Sequence, residues 1–71
     1  MTENEIKLIE SHKLITQTIK MLSIQLNTYT KINAFIKIGK IEEKLKELKE
    51  QKELLENVLD GCVDGWRNYL Q

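Results

Sequence analysis

Residues 41–59 read IEEKLKELKEQKELLENVL, and their apolar side chains recur at alternating steps of three and four positions. This rhythm places them on one stripe of an α-helix and is typical of a coiled-coil seam. Leu54 and Val58 lie beside the stripe and widen it toward the broader face of a bundle helix. Extended in both directions, the stripe has one charged member, Lys52, and otherwise comprises Ile38, Ile41, Leu45, Leu48, Leu55, Leu59, Cys62, Trp66 and Tyr69.

The first half of the chain repeats the rhythm less regularly. Its stripe comprises Leu8, His12, Ile15, Ile19, Leu22, Leu26 and Tyr29. Asn4 or Thr2 can cap the start of this helix, and acidic residues in the first turn suit the helix dipole. Because the chain has no proline and only three glycines, we predict an all-α protein, an antiparallel helical hairpin with coiled-coil-like packing.

The position of the turn between the two helices is open at this stage. The two stripes are out of phase, so the chain turns or slips somewhere between residues 27 and 40, and one unbroken helix is a third alternative. One candidate is the segment at about 28–33, which is rich in poor helix formers and in capping residues. The other is Gly39, a residue type that often follows a helix end. The first candidate gives helices of similar length, at about 4–29 and 33–60.

The C-terminal segment begins with two helix-stop signals, Asp60-Gly61 and Asp64-Gly65. Because the stripe continues through Cys62 and Trp66, residues 62–70 are predicted to form a short helix or turn that folds back onto the bundle. Trp66 then either closes the end of the bundle or remains available to a partner. Cys62, on the stripe, is expected to be buried.

Length and composition limit how this chain can be stabilised. A single core in a chain of 71 residues supplies roughly 3–5 kcal/mol, so such proteins usually need a further stabilising element. One cysteine permits no internal disulfide, and His12 and Cys62 are too far apart in sequence to suggest a metal site. Self-association is therefore expected, with a homodimer that completes a helix bundle.

The net charge is zero, but its distribution along the chain is uneven. Residues 1–40 carry six lysines and three glutamates, and no acidic residue lies between Glu10 and Glu42. The two halves either attract each other as an antiparallel pair, or the basic half faces an acidic partner. The polar N-terminus is unlike a signal peptide, and no apolar run reaches the ~18 residues of a membrane span. A cytoplasmic protein without a membrane partner is predicted.

Catalytic and cofactor chemistry are not predicted. His12, the only histidine, lies on the helix stripe, and Ser11 beside it points about 100° away. The glutamates of the second helix alternate with lysines, which is typical of a solvated helix surface. The sequence contains no glycine-rich phosphate loop, zinc signature or nucleophile elbow. We therefore expect no enzyme activity, no cofactor and no metal.

The remaining interpretation is a small protein–protein interaction module, an adaptor or an inhibitor of a larger protein. Ten lysines, one arginine and nine isoleucines suggest AT-rich coding and hence a phage or mobile-element regulator. The alternative is a nucleic-acid-binding hairpin dimer, although a single arginine and a net charge of zero give little electrostatic attraction to phosphate groups. The predicted protein-binding or oligomer seam is Leu45, Leu48, Leu55, Leu59, Trp66, Tyr69 and Leu70. The possible nucleic-acid contacts are Lys13, Lys20, Lys31 and Lys37.

Overall fold

A computed structural model describes residues 1–70 as two long helices that pack against each other, followed by a short helical turn. Helix α1 spans Glu3–Lys31, helix α2 spans Phe35–Cys62, and a 3₁₀ turn, η1, spans Trp66–Leu70. The predicted all-α hairpin is confirmed. The molecule is a rod of 46 × 20 × 16 Å, with the bend between the helices at one end.

Helix α1 begins with a reciprocal cap. The Thr2 hydroxyl accepts a hydrogen bond from the Glu5 backbone N–H, and the Glu5 carboxylate accepts one in return from the Thr2 backbone N–H. This capping box satisfies two backbone donors at the start of the helix. Of the two candidate capping residues, Thr2 therefore forms the N-cap of α1.

The bend between α1 and α2 occupies Ile32–Ala34. Asn33 adopts a left-handed conformation with φ 54°, which asparagine tolerates better than most residues. The Ala34 N–H donates to the Tyr29 carbonyl at 3.0 Å and closes the end of α1. Gly39 lies inside α2, so the alternative turn near it is not used.

Helix α1 continues to Lys31, beyond the expected end near residue 29, despite its many hydroxyl residues. The Thr28 hydroxyl donates to the Ile24 carbonyl, and the Thr30 hydroxyl donates to the Leu26 carbonyl. Such bonds to the preceding turn let threonine remain within a helix, although they slightly weaken it. The helix therefore depends on packing against α2 more than on its own propensity.

The main core lies at the end of the rod opposite the bend. Ile9 of α1 packs there with Leu59, Val63 and Trp66, and Leu8 and Leu70 cover the cluster. Leu59 and Trp66 are 0% and 2% exposed. At Gly65, φ is +65°, a value that glycine adopts without strain, and it turns the chain so that η1 folds back over α1. The C-terminal turn thus closes the hairpin.

Candidate interaction surface

A buried histidine joins the two helices and the C-terminal turn. His12 is buried in α1, and its Nε2 lies 3.2 Å from Glu56 Oε2 on α2. Lys52 Nζ lies 3.8 Å from the same carboxylate oxygen. The His12 and Trp66 rings meet edge to face, with centroids 4.8 Å apart. With its proton on Nε2, His12 donates to Glu56, and the pair fixes the register of α1 against α2.

The second imidazole nitrogen bears on the tautomer of His12. Nδ1 of His12 is buried and, within residues 1–70, has no hydrogen-bond partner. The tautomer that donates from Nε2 to Glu56 leaves Nδ1 without a proton, so no unpaired N–H is buried.

Asp60 anchors the C-terminal turn. Its Oδ1 accepts hydrogen bonds from the Trp66 indole N–H at 2.7 Å and from Arg67 Nη1 at 2.9 Å. The Arg67 guanidinium also stacks over the Trp66 ring, 4.3 Å from its centroid. The hydrogen bond from Trp66 and, to a smaller extent, that from Arg67 lower the pKa of Asp60 below its ordinary value of 3.8. The charged carboxylate therefore stabilises the folded turn.

Acidification is expected to remove this contribution, and the Asp60→Asn variant isolates it. Because the folded-state pKa is depressed, the stabilisation is present above the ordinary pKa and is lost as pH falls through the folded value. The free energy of unfolding, measured by urea denaturation between about pH 2 and pH 7, should therefore differ most between wild type and Asp60→Asn near neutrality. The two curves should converge in acid. A difference that is constant with pH would contradict a role for the charge.

One side of the rod, here called the charged flank, is polar. A shallow groove between the helices is lined there by Thr16 and Ile19 of α1 and by charged residues of α2, namely Lys49, Lys52, Glu53 and Glu56. Glu56 is the carboxylate that binds His12. This flank is thus solvated, and its charges of both signs largely compensate one another.

The opposite side, here called the apolar flank, lacks such charges on its α1 surface. Two residues along a helix correspond to a rotation of about 200°, so Leu54 and Val58 of α2 lie across the helix from Lys52 and Glu56. On α1, four residues spaced by seven form one line along this flank and are all half-buried: Leu8, Ile15, Leu22 and Tyr29. Leu55 lies between the two helices and is also half-buried. The core is therefore only partly covered along the apolar flank.

The size of the exposed surface shows how open this edge is. The accessible surface is 5470 Å², whereas a compact monomer of this mass exposes about 4,600 Å². The radius of gyration is 14.8 Å, against about 11 Å for a compact domain of this length. Leu54 and Val58 remain 65% and 47% exposed. One hairpin thus covers only part of its own apolar surface.

The structure separates the predicted seam residues into buried, half-buried and exposed sets. Leu45, Leu48, Leu59 and Trp66 are buried, Leu55 and Leu70 are half-buried, and Tyr69 is exposed. Of the two interpretations of Trp66, the structure supports the one in which it closes the end of the hairpin, since His12 and the core enclose it.

The expectation that Cys62 is buried is wrong, because its thiol is exposed. Helix α2 ends at Cys62, and Val63 adopts an extended conformation. The regular repeat therefore stops there, and Val63 takes the buried position.

The four lysines considered for nucleic acid do not share one surface. Lys13, Lys20 and Lys31 are spaced by seven and eleven, which places them on one face of α1. Lys37 lies on α2 beside the bend, with its ammonium 5.0 Å from the Tyr29 ring centroid. The face of the first three borders the charged flank, where the glutamates of α2 reduce the positive potential.

The bend presents an apolar patch that the sequence patterns did not single out. Ile32, Phe35 and Ile36 are all exposed there. They lie between the two predicted stripes, in the segment where the rhythm breaks, so neither stripe includes them. An exposed group of large apolar side chains at one end of a rod is a common mark of an interaction site.

Two kinds of feature are absent from residues 1–70. Neither long helix has an apolar stretch that could cross a membrane. In the same part of the chain, no three histidine, cysteine or acidic side chains are grouped so that they could hold a metal ion.

The chain matches no protein-family model, no curated protein and no solved structure.

Proposed function

We propose that this chain is a non-enzymatic protein–protein interaction module that works as a homodimer. Two hairpins would meet through their apolar flanks and form a four-helix bundle. The observation that carries the proposal is the open apolar flank, in which Leu54 and Val58 are exposed beside a full-length line of half-buried side chains on α1. Covering such a surface is the usual way for a chain this short to gain stability.

The same pair would act as an adaptor or as an inhibitor of a larger protein. The bend patch of Ile32, Phe35 and Ile36 supports this, because it lies at the end of the rod and a partner on the flank leaves it open. Large apolar and aromatic side chains in such positions are typical anchors in protein interfaces. The enclosed His12, whose Nε2 is bound to Glu56, supports a role without catalysis.

The double variant Leu54→Gln/Val58→Gln is expected to weaken self-association while the hairpin remains folded. Both side chains are largely exposed in the single hairpin, so their replacement removes little burial within one copy. In the dimer they would be covered, and their loss should weaken association by at least tenfold, since burying each apolar side chain contributes about 1.5–3 kcal/mol. Sedimentation velocity at micromolar concentration measures the association, and far-UV circular dichroism measures the fold.

Leu14→Gln/Met21→Gln is the matched control. These two side chains are also exposed, at 65% and 63%, but they lie about 200° around α1 from His12 and so face away from α2. The control should associate as wild type does. A wild-type chain that stays monomeric at high concentration, or a flank variant that associates normally, would refute the proposal.

A further inference from the structure

The charges of the hairpin are segregated along the length of the rod. The contact between His12 and Glu56 sets which residues of α1 and α2 lie side by side. The half of the rod that contains the bend is therefore one continuous segment, residues 18–50, and the rest of the chain forms the other half. Residues 18–50 carry seven lysines and four glutamates, a net charge of +3. The whole chain is neutral, so the other half carries −3.

We infer that the second copy lies antiparallel on the apolar flank, with the two bends at opposite ends of the four-helix bundle. This inference rests on the proposed dimer and adds the relative orientation of its two copies. In the antiparallel arrangement, the basic bend half of each copy lies against the acidic half of the other. In the parallel arrangement, the two basic halves lie side by side, as do the two acidic halves. Packed helix axes lie 8–10 Å apart, which is within about one Debye length at physiological salt.

The shape of the apolar flank permits this orientation. The line of Leu8, Ile15, Leu22 and Tyr29 extends along nearly the whole of α1, so it can face a reversed copy of itself. Leu54, Leu55 and Val58 are confined to the end of α2 far from the bend. An antiparallel copy centred on the middle of the rod places Leu54 opposite Leu48 of the partner's α2 and Val58 opposite the exposed Lys44. The long stems of lysines can cover apolar neighbours while their ammonium groups remain solvated.

Cys62 makes the orientation measurable without any substitution. It is the only cysteine, it is exposed, and it marks the end of α2 far from the bend. A nitroxide spin label on Cys62 reports the distance between the two copies by pulsed dipolar spectroscopy. At 1.5 Å per residue from the middle of α2, the antiparallel dimer places the two labels about 30–40 Å apart. The parallel dimer places them within about 20 Å.

A mixed sample provides the complementary distance. The variant Cys62→Ser/Lys40→Cys carries its label near the bend, and it is combined with the wild-type chain labelled at Cys62. The antiparallel arrangement brings these two labels of different copies within about 20 Å, whereas the parallel arrangement separates them by about 30 Å or more. The dissociation constant should also rise with added salt, because opposite charges are then screened.

The outcomes separate this inference from the proposed function. A long distance between Cys62 labels together with a short mixed distance supports the antiparallel dimer. A short distance between Cys62 labels, with tighter association at high salt, would overturn the orientation while leaving the dimer intact. The absence of any dipolar signal, with a monomer in sedimentation, would refute the dimer and with it the inference.

Discussion

Trp66→Ala is expected to leave the chain largely unfolded at 25 °C. The indole is 2% exposed, contacts the His12 ring and belongs to the main core with Ile9 and Leu59. Truncating a buried tryptophan to alanine costs about 3–5 kcal/mol, which equals the roughly 3–5 kcal/mol that one core of this size supplies. Far-UV circular dichroism should show loss of the cooperative melt. This method is suitable because it does not use tryptophan fluorescence, which the variant lacks.

Two further variants separate the parts of this effect. Trp66→Phe keeps an aromatic ring in the core but removes the N–H that donates to Asp60, so it should cost less than Trp66→Ala. Tyr69→Ala, at an exposed position of the same turn, should change the melting temperature little. If Trp66→Ala melted cooperatively within a few degrees of wild type, the C-terminal turn would not be part of the core, and Trp66 would regain its role as a candidate anchor for a partner.

The helices, and the face that each turns toward the other, could be predicted from the sequence because both depend on local periodicity. Steps of three and four in residues 41–59 predict which side of α2 faces α1, and Leu45, Leu48 and Leu59 are indeed buried. The bend at Ile32–Ala34 overlaps only the end of the segment at about 28–33, which was one of two candidates that the residue types left open. Asn33 lies in that overlap and adopts the left-handed conformation there.

The C-terminal end of the core could not be predicted in the same way. Counting heptads assumes an unbroken helix, but α2 ends at Cys62 and the chain turns at Gly65. After that turn, the angular position of a side chain is set by the loop and not by the 3.6-residue period. The repeat also assigned Cys62, the last residue of α2, to the stripe, but Cys62 is exposed, and Val63 in the extended segment after it is buried.

The contacts of His12 were also beyond the reach of sequence patterns. Its partners, Glu56 and Trp66, lie 44 and 54 positions farther along the chain. Periodicity indicates which face of a helix a residue occupies, but not which residue of another element it meets. Glu56 resembled the other glutamates of α2, and only the register of the hairpin brings it to the imidazole. Pairing across elements depends on the turn geometry, which a single sequence specifies weakly.

Aspartate substitutions at Leu48 and Leu55 are expected to have different consequences, although both residues lie on the α2 stripe. Leu48 is buried between α1 and α2, so Leu48→Asp replaces roughly 1.5–3 kcal/mol of apolar burial with a charge that lacks a partner. That variant should be unfolded at any protein concentration. Leu55 is only half-buried in one hairpin, at the edge of the apolar flank. Leu55→Asp should therefore keep a weakened hairpin but lose the rise of melting temperature with concentration that marks association.

Thermal melts of the two variants over a range of protein concentrations, followed by circular dichroism, measure both effects. Lys49→Asp is the control, because Lys49 is exposed on the charged flank, and it should keep both the fold and the dependence on concentration. Equal tolerance of all three substitutions would mean that the wrong face of α2 has been taken as buried. A Leu55→Asp chain whose melting temperature still rises with concentration as in wild type would show that association uses another surface. The Leu48 and Leu55 side chains point to nearly the same side of α2. A difference between the two variants would therefore mean that α1 covers Leu48, whereas a second copy covers Leu55.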